Sequence, residues 1–291
     1  MKLAIGTVQF GIKYGVRTIN KQVKFNEVKK ILDYAYSKNI SFIDTAAGYG
    51  NSEKILGKTD ISNFSIVTKT RYFNNFEITN NDVELMDKDF FESLKNLKKT
   101  SIYSLMIHNS SDLLKVGGGK LFNHLSKLKS DKKIIKIGVS IYDHNILQSI
   151  INNFDIDLVQ LPFNIFDRKA INNGLFTLLK KHKIEIHVRS VFLKGLLLMT
   201  KENRPKKFNR WNNLWEIWHQ WLNDNKITAI EASIRFANSV PEISKVLVGI
   251  ETKNQLQQII NACKKDYLPK LPKELYTDDI DLINPSNWEK L

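Results

Sequence analysis

The sequence predicts an α/β fold, a single (β/α)8 TIM barrel, and three observations carry that reading. Eight short apolar runs recur along the 291 residues, amphipathic stretches separate them, and polar side chains close the runs. Strands that alternate with helices make βαβ units and a parallel sheet. A closed barrel of eight such units needs roughly 250 residues. An open doubly wound sheet is the competitor, but "GTVQFG" after the first run lacks the G-x-G-x-x-G pattern of a dinucleotide turn.

The eight predicted strands are "LAIGT" (3–7), "SFIDT" (41–45), "FSIVTKT" (64–70), "IYSLMIH" (102–108), "IIKIGVS" (134–140), "DLVQLP" (157–162), "IEIHVRS" (184–190) and "KVLVG" (245–249). After the first, Val28, Ile31, Leu32 and Ala35 fall at helical spacing; after the last, Leu256, Ile259, Ile260 and Cys263 do the same. "NDVELMDKDFFESLKNLKK" (81–99) has a polar start suited to a helix cap and no internal proline or glycine. Residues 196–224 make an extended loop and helix after strand seven, and 267–291 form a C-terminal tail without clear periodicity. With no linker rich in Pro, Gly or Ser, one domain over 1–291 is expected.

Hydrophobic residues are 42% and charged residues 25% of the chain, ordinary values for a soluble globular protein. The single Cys263 excludes a disulfide framework and points to a reducing compartment. No stretch approaches the ~20 apolar residues of a membrane span, so a cytoplasmic location and no membrane partner are expected. The net charge of +14 is spread over dispersed lysines, with "RPKK" (204–207) the densest patch. That argues against a nucleic-acid partner and favours, at most, an anionic ligand. No metal site is expected, and the oligomeric state is left open.

In a parallel barrel the strands' C-terminal ends share one face, which holds the active site. Those ends read Asp44, Lys69, His108, Ser140, Gln160 and Arg189, with Tyr49 on the loop "DTAAGYGN" after strand two. A tyrosine of ordinary pKa near ~10 is a poor acid at neutral pH. A lysine beside it is expected to lower that value, with Asp44 holding the lysine in place. A neutral His108 can donate a hydrogen bond to a carbonyl oxygen. The set suits carbonyl reduction, with the hydride supplied by a cofactor because no side chain can supply one.

These residues carry a resemblance to the aldo-keto reductase family over nearly the whole chain. "IGTVQFG" resembles its opening strand and turn, "FIDTAAGYGNSEKILG" its first signature, and "VTKT" and "LMIHN" its lysine and histidine strands. "GVS", "VQLPFN" and "RSVFLKGLL" resemble its cofactor-side motifs. The resemblance implies a catalytic set of Tyr49 as general acid, Lys69 and Asp44 as its tuners and His108 as the carbonyl-orienting group. It implies NADPH, with NADH the alternative, held by Gly6, Thr7, Val8, Asp44, Ser140, Gln160, Arg189, Ser190, Phe192, Lys194, Gly195, Gly249, Glu251, Lys253, Gln255 and Gln258. Ser140 and Gln160 would hold the nicotinamide carboxamide. The partner would be a small-molecule carbonyl substrate. A cofactor-binding regulatory or interaction protein with little turnover is the alternative.

Three departures from the family stand out. Ile141 follows Ser140 where an Asn is frequent. Arg189 stands where many members have an aromatic against the nicotinamide. In "VLVGIETKNQLQQII" (246–260), Gly249, Ile250, Gln255 and Gln258 replace residues that grip the adenosine 2′-phosphate, and Lys253 is the nearby positive charge. The start "GTVQFGIKYG" is similar to bacterial members associated with surface-sugar biosynthesis, which implies a sugar or nucleotide-sugar carbonyl whose phosphates Arg168 and Arg189 would meet. Trp211, Trp215, Trp218 and Trp221 share one helical face, expected to pack as the seventh helix; Trp211 and Trp288 are alternatively candidates for the mouth of the site.

Overall fold

The computed structural model describes residues 1–16, 22–265 and 267–291. Its strands are β1 (Leu3–Gly6), β2 (Phe42–Asp44), β3 (Ser65–Lys69), β4 (Ile102–Ile107), β5 (Ile134–Ser140), β6 (Leu158–Pro162), β7 (Glu185–Arg189) and β8 (Lys245–Gly249). They pair in sequence order, all parallel, and β8 closes on β1. Each lies within one residue of its predicted run. The expected closed barrel is what the chain forms.

Two apolar layers hold it. Ile43, Ile66, Leu105, Val139, Val159 and Val188 are buried in the large core that includes the surrounding helices. Val67, Met106 and Leu158 form a separate small cluster. Strand register explains the division, because residues two apart share a face. Val67 lies beside Asp44 and Lys69 beside Met106, so the residues that end in carboxylate and ammonium continue the inner layer upward.

The N-terminal end of the barrel is plugged by polar groups. Glu185 accepts from Tyr103 Oη at 2.6 Å, pairs with Lys136, and lies 2.8 Å from His187 Nε2. Burial pushes the Glu185 carboxyl up, but its bonds to His187, Lys136 and Tyr103 outweigh that and hold it at about 2. Lys245 Nζ sits 4.0 Å from the Phe42 ring centroid. The cavity therefore opens at the C-terminal face.

Among the helices, Phe25–Ser37 buries Val28, Ile31, Leu32 and Ala35 as the spacing requires. Asn80–Leu97 starts on a capping box in which Thr79 and Asp82 satisfy each other's backbone N–H groups. Two α-helices lie between β7 and β8, not one: Asn212–Asp224 and Ala229–Asn238. The second was not anticipated, although Thr228 and Glu231 form its capping box. Among the described residues no helix is long and apolar enough to cross a membrane.

Four of the five tryptophans lie on Asn212–Asp224 or immediately before it. Trp215 and Trp218 are buried, donating from Nε1 to the carbonyls of Phe208 and Leu197 at 3.1 Å each. Trp211 donates to Asp279 Oδ2 at 2.9 Å, and Trp221 to the Lys270 carbonyl at 3.0 Å. The helix thus pins the C-terminal tail. Trp288 is buried with its ring against Phe208 (4.9 Å between centroids). Neither Trp211 nor Trp288 reaches the cavity, and their hydrogen bonds and ring contacts explain both.

Candidate active site

The loop after β2 is fixed to the loop after β1 by small residues. Thr7 donates from both N–H and Oγ1 to the Asp44 carbonyl, at 3.1 and 3.0 Å. Ser52 Oγ lies 2.8 Å from Thr7 Oγ1. Gly11 packs so closely that a Cβ there would stand 1.7 Å from the Tyr49 carbonyl oxygen. Gly50 has φ +56°, the left-handed region that glycine adopts without a Cβ penalty. The glycines around Tyr49 therefore set the path of the loop that carries the phenol.

Tyr49 lies over a buried ion pair. Lys69 (2% exposed) donates from Nζ to Asp44 Oδ1 at 2.6 Å and to the Thr45 carbonyl at 2.9 Å. Its Nζ is 5.3 Å from the Tyr49 ring centroid. The second Asp44 oxygen accepts from Gln160 Nε2 at 2.7 Å. His108 meets Tyr49 edge-on, with ring centroids 6.2 Å apart, and stacks on Tyr72 at 4.4 Å. β2, β3, β4 and β6 thus deliver the Asp44, Lys69, His108 and Gln160 set to one floor.

The electrostatics differ from expectation at Tyr49. Burial, and then the Asp44 charge, push the phenol above its ordinary value rather than below it. The larger cause is removal of the phenol from water, which disfavours the phenolate; the second is the Asp44 carboxylate, which lies 2.6 Å from the ammonium that was expected to lower it. Burial holds Lys69 itself below its usual range, with Asp44 opposing that shift. Burial, with the charges of Lys69 and Arg189, lowers His108 to about 3, so it is neutral at pH 7.

A cavity of about 380 Å³ opens above this floor. Asp44, Tyr49, Lys69 and His108 line it. So do Gly6, Thr7, Val8, Ser140, Gln160, Arg189, Ser190, Phe192, Lys194, Gly195, Gly249, Glu251, Gln255 and Gln258. Lys253 does not. Its N–H donates to Glu27 at 2.8 Å and its ammonium sits 5.2 Å from the Tyr34 ring, because the helix Lys253–Ala262 begins there and turns that side chain outward. Arg168 is also absent from the lining; it donates to the carbonyls of Ile165 at 2.7 Å and Pro272 at 3.3 Å.

The sequence reading passed over Gln9, Tyr14, Tyr72 and Tyr142, all of which line the cavity. Tyr72 lies three residues beyond Lys69 and Tyr142 two beyond Ser140, so aromatics just past a strand end were the available signal. Gln9 gave none.

The lining fits an extended dinucleotide. Gln9 Oε1 is a buried acceptor without a hydrogen-bond partner, beside Gly249. The segment after β7 passes through left-handed backbone at Ser190, Leu193, Lys194 and Gly195 (φ 61°, 49°, 51° and 91°). Such conformations cost of order 1 kcal/mol each in non-glycine residues and concentrate at binding sites. From Tyr49 to Gln258 the wall supplies hydroxyls, amides and the cations of Arg189 and Lys194.

The sequence model of the aldo/keto reductase family matches residues 2–272. No curated protein matches the chain. Among solved structures, it is similar to an aldo-keto reductase from Bacillus halodurans, AKR11C1, in its holo form: TM-score 0.74, 18% identity, 96% of this chain and 94% of that one. It is also similar to PA4992 from Pseudomonas aeruginosa, provisionally described as an aldo-keto reductase: TM-score 0.66, 20% identity, 90% of this chain and 88% of that one.

Proposed function

We propose, because the chain belongs to the aldo/keto reductase family, that it is an NAD(P)H-dependent oxidoreductase reducing an aldehyde or ketone to an alcohol, with Tyr49 as the general acid. The observation that carries this is the Asp44–Lys69 pair beneath Tyr49, with neutral His108 facing the phenol. A reduced nicotinamide, when bound, supplies the hydride. His108, which stays neutral, donates a hydrogen bond that orients the substrate oxygen.

Tyr49 keeps its proton in the resting site and gives it up only when that oxygen becomes an alkoxide. Once the proton leaves, the phenolate gains from Lys69, whose charge is then shared between Asp44 and Tyr49. Asp44, fixed by Lys69 and Gln160, keeps the ammonium in reach. The polar lining from Gln9, Tyr14, Tyr72, Tyr142 and Ser140 suits a hydroxylated substrate such as a sugar carbonyl.

NADPH is the proposed cofactor on family grounds. Lys253 lies outside the cavity while Glu251 lines it, so the charge expected to favour a 2′-phosphate is weaker than the sequence implied. NADPH and NADH dissociation constants, titrated by cofactor fluorescence, are expected to fall within about tenfold of one another. One lost or gained charge contact is worth about that much. The mechanistic test is Tyr49→Phe. Reduction of model aldehydes should fall about 10²- to 10⁴-fold while NADPH still binds; unchanged turnover would remove Tyr49 from the proton step.

A further inference from the structure

Resting on the carbonyl-reductase reading, we propose that Arg189 is a specificity-determining residue that recognises an oxyanion group, carboxylate or phosphate, borne by the carbonyl substrate.

Arg189 ends β7 and lines the cavity. Its guanidinium lies with Cζ 3.9 Å from the Tyr142 ring centroid, and Nη2 donates to the Ile141 carbonyl at 3.1 Å. Neither partner is a carboxylate. Among the described residues, no carboxylate forms an ion pair with Arg189 or with Lys194 on the same wall. A guanidinium has five N–H donors in a planar fork that matches the two oxygens of a carboxylate or phosphate.

The charges around the cavity sharpen the argument. Lys69 is matched by Asp44, so the floor carries no net charge. Among the described residues, the other carboxylate in the lining is Glu251, on the segment after β8. Arg189 therefore leaves the carbonyl end of the cavity positive. Its charge acts on Tyr49, His108 and Tyr72, which puts it in electrical reach of the reacting carbon. One face of the guanidinium is covered by Tyr142, so its charge and remaining donors are what it offers a ligand. A cation in a partly dry wall without a counter-ion is costly, and a substrate anion would supply the missing charge.

The test separates binding from turnover. Oxalate and inorganic phosphate, which carry no reducible carbonyl, are titrated calorimetrically into the wild-type protein, Arg189→Gln and Arg189→Lys. The wild type should bind at least one of the two, and Arg189→Gln should lose about 10- to 100-fold, the worth of a charge-assisted hydrogen-bond pair. Arg189→Lys should recover part of the loss. Oxalate preference identifies a carboxylate, phosphate preference a phosphate.

In turnover, glyoxylate is compared with acetaldehyde and glyceraldehyde 3-phosphate with glyceraldehyde. The ratio of kcat/KM, charged over neutral, should collapse in Arg189→Gln by a similar factor. Equal anion binding by wild type and Arg189→Gln, or a loss of NADPH affinity as large as the loss of anion affinity, would overturn the proposal. If the anions bind through Arg189 but no carbonyl is reduced, the reductase reading fails and the anion site stands.

Discussion

On the β2–β4 side of the cavity, Lys69 lies 2.6 Å from Asp44 and beneath Tyr49; on the β5–β7 side, Arg189 lies against Tyr142 and, among the described residues, pairs with no carboxylate. Both arrangements put a cation next to a phenol, yet the phenols respond in opposite directions. Tyr49 is held above its ordinary value by burial and Asp44. Burial also pushes Tyr142 up, but Arg189, a hydrogen bond from Ser286 and the Lys194 charge outweigh it, and Tyr142 ends below its ordinary value. Two differences separate the phenols: Tyr49 is the more deeply buried, and the cation beside it carries a carboxylate counter-ion.

Breaking the neutral side should produce the largest effect. Lys69→Met leaves Asp44 buried without its ammonium, and we expect a loss of about 3–5 kcal/mol in urea unfolding. The double variant Lys69→Met/Asp44→Leu should recover most of that stability without recovering reduction. No recovery would show that the pair contributes through packing and not through charge.

The unpaired side makes a spectroscopic prediction. In ultraviolet titration, Arg189→Met should move the ionisation of Tyr142 upward, by about one pH unit for an interaction near ~1.4 kcal/mol. A Tyr142 ionisation that stays put would dissolve the contrast between the two sides.

His108 lies between them and gives a pH test. The folded state lowers it to about 3 against an unfolded value near ~6.5. The unfolded chain therefore takes up the proton first. His108's contribution to stability is complete above about pH 6.5 and is lost as pH falls towards 3. Imidazole resonances in NMR should show His108 neutral at pH 5, and His108→Gln should flatten the acid limb of the unfolding profile.

The smallest expected effect is at Tyr72. Its stacked ring against His108 is worth ~0.5–1.5 kcal/mol. Tyr72→Leu should lower kcat/KM severalfold, with Tyr72→Phe restoring it. A fall in both variants would assign the effect to the hydroxyl.

The strands, and the placement of Asp44, Lys69 and His108 at their ends, were legible because period-two apolar runs and their polar ends are local signals. What the sequence hid depends on partners far along the chain. Lys253 was placed by its position in a segment, but a helix start turned its side chain towards Tyr34. The direction of the Tyr49 shift needed the burial of the phenol and its relation to Asp44, which no spacing encodes. The helix Ala229–Asn238 was overlooked although Thr228 and Glu231 mark its start, because the tryptophan stripe just before it drew the reading of that region.

Gly11 touches neither proton nor hydride, yet one added carbon there would drive into the backbone that carries the phenol. The position of the Tyr49 phenol is thus held by an atom that is absent. A mutational survey of this protein should find residue 11 as intolerant as residue 49, with the damage appearing as displaced chemistry in a barrel whose strands still pair.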